Sequence, residues 1–244
     1  MLSLMAGGLL AGCRSRASSP EASPSSAPGT TAVPQTSGAA AGTAASAPRQ
    51  AVASDYAWFQ QVTDLSKGFC FVWVRDLRSS EVIERMGGEE LERIVWQQMV
   101  GAGDGQRGAT DKYYFGVTRL DDDWALVIED NGTLGRADDL LRPLSADTTV
   151  VCHYRAANGS GRFLLLEDSV VQVDFDPATP ARRTGTRAGE LGRLVQAVGF
   201  DGPAGSARRT AAAFALAERL TGVPLDLEGL QNRTYAFSAA PTGQ

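Results

Sequence analysis

Apolar residues begin to recur at regular spacing only after position 54, and from there helical and strand periods follow one another. Over 55–62, Tyr56, Phe59 and Val62 fall on one helical face behind Ser54, a favourable N-cap. Residues 69–74 are a six-residue apolar run rich in aromatic and β-branched side chains, which predicts a strand buried on both faces. A short helix is predicted over 79–84, stopped by Gly87-Gly88. A second is predicted over 89–100, where Leu91, Ile94, Val95 and Met99 recur at helical spacing. Strands over 113–120 and 124–129, joined by Asp121-Asp122-Asp123, read as an antiparallel hairpin, and a short helix over 138–141 precedes strands over 148–155, 162–167 and 170–175. Two amphipathic helices close the pattern. One carries Leu191, Leu194, Val195 and Val198 and stops at Gly199, and the other carries Phe214, Ala217, Leu220 and Val223 and stops at Gly222 and Pro224. Strands in consecutive hairpins with helices at both ends predict an α+β domain, with a mainly antiparallel sheet of about six strands and the helices packed on one side.

The segment before this pattern is of another kind. Residues 1–12, MLSLMAGGLLAG, are apolar and uncharged and run into Cys13, with Arg14 and Arg16 behind it. They are too few to cross a bilayer, which takes roughly 20 apolar residues. Leu10-Ala11-Gly12-Cys13 resembles a bacterial lipobox, which implies a signal peptide over 1–12 and a diacylglycerol on the Cys13 thiol. No basic residue precedes Leu2, so translation is expected to start upstream of Met1. Ala, Ser, Pro, Thr and Gly fill 33 of the 41 positions from 14 to 54, with no aromatic residue among them. Such a segment buries too little apolar surface to offset its ordering entropy. Residues 13–54 are therefore read as a lipidated cysteine and a tether, with a reach on the order of 35 Å. The globular domain is expected over 55–237 and a disordered tail over 238–244.

Charge narrows the partners. The net charge is −5, and without the tether's three basic and one acidic residues it is −7. That balance excludes a sequence-independent nucleic-acid binder and disfavours a domain lying flat on anionic lipid. The expected partners are thus the membrane, through the anchor, and an unknown envelope protein or ligand. Three cysteines and one histidine are too few for the common four-ligand zinc sites, so no metal is predicted. With Cys13 lipidated, Cys70 and Cys152 remain on apolar strand faces. They are either a disulfide, as an oxidising compartment permits, or two buried thiols.

Four stretches carry a resemblance. Val74-Arg75-Asp76-Leu77, Trp124 with Ile128-Glu129-Asp130-Asn131-Gly132, Leu144-Ser145-Ala146-Asp147-Thr148 and 216–223, LAERLTGV, are similar in order to motifs of an uncharacterised actinobacterial domain-of-unknown-function family (6461-type). The resemblance spans about 55–230. It implies a fold family and a bacterial source, and no activity.

The residues that could carry chemistry are few. Gly103-Asp104-Gly105-Gln106-Arg107-Gly108 fits a dinucleotide-binding string, but it follows a predicted helix and precedes a strand, the reverse of what cradles a pyrophosphate, so no cofactor is expected. Asp121-Asp122-Asp123 lacks the spaced ligands of a calcium loop and reads as a solvated turn. His153 shares a strand face with Val151 and Arg155 and is expected to face solvent. Arg182, Arg183 and Arg187 read as a solvated basic loop, and the Ala-Arg-Arg-Thr tetrapeptides at 181 and 207 do not form a repeat. Glu129 shares a face with Ala125 and Val127, which predicts a partly buried carboxylate. It is expected either to accept bonds from the following Asn131-Gly132 turn or to pair with Arg75, and as an ionised group its replacement by Gln would cost stability.

The pattern as a whole points to a lipoprotein anchored on the outer face of the cell membrane, whose domain is a non-catalytic binding or interaction module. The alternative is a cell-envelope hydrolase using Glu129 with Asp168 or Asp174, which requires two carboxylates about 5 to 10 Å apart in a cleft.

Overall fold

The computed structural model describes residues 50–101, 111–200 and 205–242. The expected signal peptide, Cys13, most of the tether and the glycine-rich string at 103–108 lie outside the described residues.

Eight strands form one sheet: β1 (Gly68–Arg75), β2 (Glu89–Val95), β3 (Lys112–Arg119), β4 (Trp124–Asp130), β5 (Thr149–Ala156), β6 (Gly161–Glu167), β7 (Val170–Phe175) and β8 (Thr234–Pro241). Their spatial order is β2-β8-β3-β4-β1-β5-β6-β7, and every neighbouring pair is antiparallel. The helices are α1 (Ser79–Arg85), α2 (Trp96–Met99), α3 (Asp138–Leu144), α4 (Gly192–Val195), α5 (Ser206–Thr221) and α6 (Leu227–Gln231), with 3₁₀ turns at Ala53–Gln61, Thr63–Lys67 and Leu134–Arg136.

The domain is α+β, and it departs from the sequence pattern in three places. The helix predicted over 89–100 is the edge strand β2 followed by the single turn α2. Only Ile94 of β2 is buried, and its glutamates stand in water along the open edge, where charge discourages pairing with another chain. The pairing with β8 overrides the helical propensity of Glu, Leu and Arg. The second departure is β8 itself. It runs to Pro241, so Ser238, Ala239 and Ala240, assigned to a tail by their weak pattern, are buried between β2 and β3.

The third concerns the layers. Helices cover both faces of the sheet. On one face Phe69, Phe71 and Trp73 of β1 and Leu126 and Ile128 of β4 pack beneath α5 and the turn at Ala53–Gln61. On the other, Cys70, Val72 and Val74 with Val127, Val150 and Leu164 pack beneath α1, α3 and Leu134. A strand that is apolar at every position needs a cover on each side, and β1 is buried throughout except at Arg75.

α5 is the main cover of the first face. Its alanines at 211–213, 215 and 217 are buried and bring its axis close to the sheet. Phe214 lies against the rings of Phe69, Phe71 and Trp73 at centroid distances of 5.7, 5.2 and 6.4 Å. The helix stops at Gly222, whose left-handed backbone lets its N–H reach the Glu218 carbonyl at 2.7 Å. At the start of the domain, the Val52 amide donates to Asp55 Oδ2 at 3.0 Å, so Val52 rather than Ser54 precedes the first turn. That turn is bolted to α5 by Tyr56, whose hydroxyl donates to Glu218 Oε2 at 2.7 Å and accepts from the Leu225 amide at 3.3 Å, all buried. Tyr56→Phe is expected to lower stability by about 1 to 3 kcal/mol, the cost of removing a buried hydrogen-bond partner. Denaturant titration of the two proteins checks it.

Candidate functional site

Glu129, next to last in β4, lies on the face covered by α3 and is 4% exposed. The backbone turns sharply behind it: Asn131 takes a left-handed conformation with φ 54° and its amide donates to the Gly68 carbonyl. The chain then folds back over the carboxyl group, and the Leu134 amide donates to Oε2 at 2.7 Å, with the Thr133 amide adding to it. The approach is so close at Gly132 that a Cβ there would lie 2.0 Å from Cδ and Oε1 of Glu129. Glu129 therefore accepts from the turn, as one of the two expected arrangements has it. Its hydrogen-bond partner is the Leu134 amide, and Arg75 lies at the far end of β1, beside Asp76. Burial pushes the Glu129 carboxyl up to about 8, against the lowering effect of the two amides.

The other expected acids are elsewhere. Glu129 is level with Cys70 and, one strand on, with Tyr154. Asp174 lies on β7, four strand spacings from β4, or about 19 Å away. There it accepts two bonds from Arg162, at 3.0 and 2.7 Å, and Arg162 also donates to Asp138 at 2.6 Å. Asp168 forms the β6–β7 turn with φ 48°, its amide on the Thr148 carbonyl and its Oδ1 accepting from the Asp147 amide. Six residues of β5 separate that level from Tyr154, about 20 Å along the strand. The structure does not bring any two of the three carboxylates together.

The remaining sequence candidates are also tied into the fold. Asp121 Oδ1 accepts from the amides of Asp123 and Trp124, a tight acidic turn. Arg183 donates to the carbonyls of Pro180 and Ala188, and Arg187 pairs with Glu167 and Glu190. Cys70 and Cys152 are both fully buried, with their sulfurs 3.6 Å apart, as two thiols rather than a bond. Burial pushes the Cys70 thiol well above its ordinary range. Among the described residues no group of three or more metal-ligating side chains converges, and no helix is long and apolar enough to cross a membrane.

His153 corrects its expectation. It lies on the face predicted by strand alternation, but that face is covered by α5, and the ring is 1% exposed. It stands edge-on to Phe69 and Phe214, 5.0 and 4.8 Å away. Burial, with the Arg155 charge adding to it, pulls its pKa down to about 3. Its ring nitrogens approach the backbone of Thr210 and Arg162 without closing a hydrogen bond. The ring forms the inner wall of a cleft between the end of β5 and the first turn of α5, where Arg155, Ser206 and Arg209 also meet. Arg155 and Ser206 extend into a wider hollow of about 260 Å³ walled by Phe59, Val62, Thr63 and Ser66. The cleft leaves no local mark in the chain because its parts are about 50 residues apart, and the one signal, the Arg208-Arg209 pair in the second Ala-Arg-Arg-Thr, carries no spacing information.

Fold and site together define an α+β domain of one antiparallel sheet between two helical layers, with a basic cleft where β5 meets α5. Over residues 49–244 the chain matches, and belongs to, DUF6461, a family of unknown function. No curated protein and no solved structure matches it.

Proposed function

We propose that this chain is a lipoprotein tethered to the extracytoplasmic face of a membrane through Cys13, with 14–54 as its spacer, and that the folded domain works by binding an envelope ligand or partner. One observation carries the binding reading. Glu129, Asp168 and Asp174 are each bound into the fold, and their separations of about 19 and 20 Å are far from the 5 to 10 Å that paired-carboxylate hydrolysis needs. The tether reading rests on the Leu10 to Cys13 string and on the composition of the segment behind it. Two thiols 3.6 Å apart are also placed to close into a disulfide once an oxidant of that compartment takes up their two electrons and two protons are released.

Cells expressing the chain and fed labelled palmitate test the anchor. The parent protein is expected to carry label in the membrane fraction, and Cys13→Ser to carry none. Alkylation of the same material after denaturation, without reductant, is expected to leave Cys70 and Cys152 unmodified. A parent protein that stays unlabelled and soluble contradicts the tether, and two alkylated cysteines contradict the disulfide.

A further inference from the structure

The β5–α5 cleft gathers positive charge. Among the described residues Arg155 and Arg209 line it, no aspartate or glutamate does, and Arg155 Nε is buried with no hydrogen-bond partner. Other part-buried arginines of the domain are paired, as Arg162 is with Asp174 and Asp138 and Arg187 is with Glu167 and Glu190. α5 points its N-terminus into the same place. The helix has 16 residues, and its cap, Gly205, supplies no side-chain acceptor. The amides of Ser206, Ala207 and Arg208 precede the first intrahelical bond, which runs from the Arg209 amide to the Gly205 carbonyl. Among the described residues these amides have no acceptor, and they and the helix dipole favour an anion there. The third observation is independent of charge: His153, fully buried on the inner wall, has neither ring nitrogen hydrogen-bonded within the fold. A neutral imidazole offers one donor and one acceptor; backbone groups of Thr210 and Arg162 lie near its nitrogens without bonding them, and the ring borders the cleft.

The geometry points to a phosphate-ester site, with the phosphate held at the N-terminus of α5 between Arg155 and Arg209 and its hydroxylated organic group lying in the adjoining hollow. Two guanidiniums and a helix N-terminus match a dianionic, multi-oxygen group better than a single carboxylate. The inner cleft has free space for about one water, room for a single phosphate oxygen, so the rest of the anion sits at its mouth. The outer hollow shares Arg155 and Ser206 with it. It presents the apolar side chains of Phe59, Val62 and Ala207 beside the hydroxyl-bearing Thr63 and Ser66, a lining that suits a small polyol or sugar carbon frame. The inference rests on the binding reading and gives it a ligand class.

Calorimetric titration of the full chain with glycerol 3-phosphate, inorganic phosphate, sulfate and glycerol tests it. Saturable binding is expected for glycerol 3-phosphate, weaker binding for phosphate and sulfate, and none for glycerol. Arg155→Gln and Arg209→Gln are each expected to weaken binding about tenfold or more. Arg208→Gln, whose parent side chain is engaged with the Gly199 carbonyl at 3.1 Å, is expected to bind like the parent and controls for the charge. Ser206→Asp separates binding from folding. A carboxylate in the first turn of α5 favours the helix, so the melting temperature is expected to hold or rise while binding is lost. Absence of binding by both phosphates, or binding that survives Arg155→Gln, Arg209→Gln and Ser206→Asp, overturns the site. Phosphorus NMR of the titration mixture distinguishes failure of the site from failure of the binding reading. An ester left intact supports both, whereas release of inorganic phosphate keeps the site and defeats the binding reading alone.

Discussion

Gly132→Ala is expected to destabilise the domain by about 3 kcal/mol or more, although the substitution adds one methyl group to a turn. Gly132 needs no unusual φ, so backbone strain is not the cause. The new Cβ would stand 2.0 Å from the Glu129 carboxyl carbon, inside any allowed contact, and the backbone on its other side is held by the Leu134 and Asn131 amide bonds. Either the turn lifts off, giving up the 2.7 Å bond to Oε2, or the carboxyl group moves away from the two amides that meet it. The partner is named, so the effect can be isolated. Glu129→Ala alone is expected to cost about 2 to 4 kcal/mol through the lost acceptor and the space left behind. In the double variant the clash is gone, and the total is expected to fall short of the sum by about 2 kcal/mol. Denaturant titrations of the four proteins supply the cycle, and strict additivity would mean that Gly132 and Glu129 do not touch.

Much of this arrangement was legible in the chain, and its gaps have physical causes. β1 and β3 to β7 follow from short-range alternation and from turns of Asp, Asn and Gly, and alternation within each strand set Glu129 with Ala125 and Val127, and His153 apart from Cys152. What failed were inferences about the far side of the sheet and its edges. His153 was expected in water because Arg155 shares its face, yet Val151 shares it too, and the alanine-rich stretch at 211–217 was the available sign that a helix could come down on it. β2 was mistaken for a helix because its partner, β8, lies over 130 residues away, and β8 itself is rich in alanine, which carries little strand preference. The cleft at α5 is assembled by that same long-range packing, so nothing local announces it.

The ionisation state of Glu129 also differs from the sequence expectation, and that changes what its replacement means. An ionised carboxylate would lose a charge-assisted bond on becoming Gln. A carboxyl group raised to about 8 by burial is already neutral at pH 7, and Gln is then nearly isosteric and keeps an acceptor for the Leu134 amide. A stable Glu129→Gln protein is therefore no sign of a catalytic acid here.

The direct test is the stability of the parent and of Glu129→Gln from pH 4.5 to 8. In the unfolded chain Glu129 loses its proton near 4.5, whereas in the fold it keeps it to about 8. Between those values the folded state binds one more proton, so this group's contribution to stability is full at low pH and is lost as pH rises, by about 1.4 kcal/mol per unit. His153 acts in the opposite sense. Its folded pKa of about 3 lies below its ordinary 6.5, so its contribution is complete above 6.5 and is lost as pH falls. The parent is thus expected to be nearly level between 4.5 and 6.5 with respect to these two groups and to weaken from there to 8, while the Gln variant strengthens to 6.5 and then holds. The difference between the two proteins isolates Glu129, and it is expected to grow in favour of Gln by about 1.4 kcal/mol for each pH unit from 4.5 to 8. A difference that does not change with pH, or one that moves toward the parent as pH rises, would show an ionised Glu129 in the folded domain and contradict its role as a neutral, structural carboxyl group.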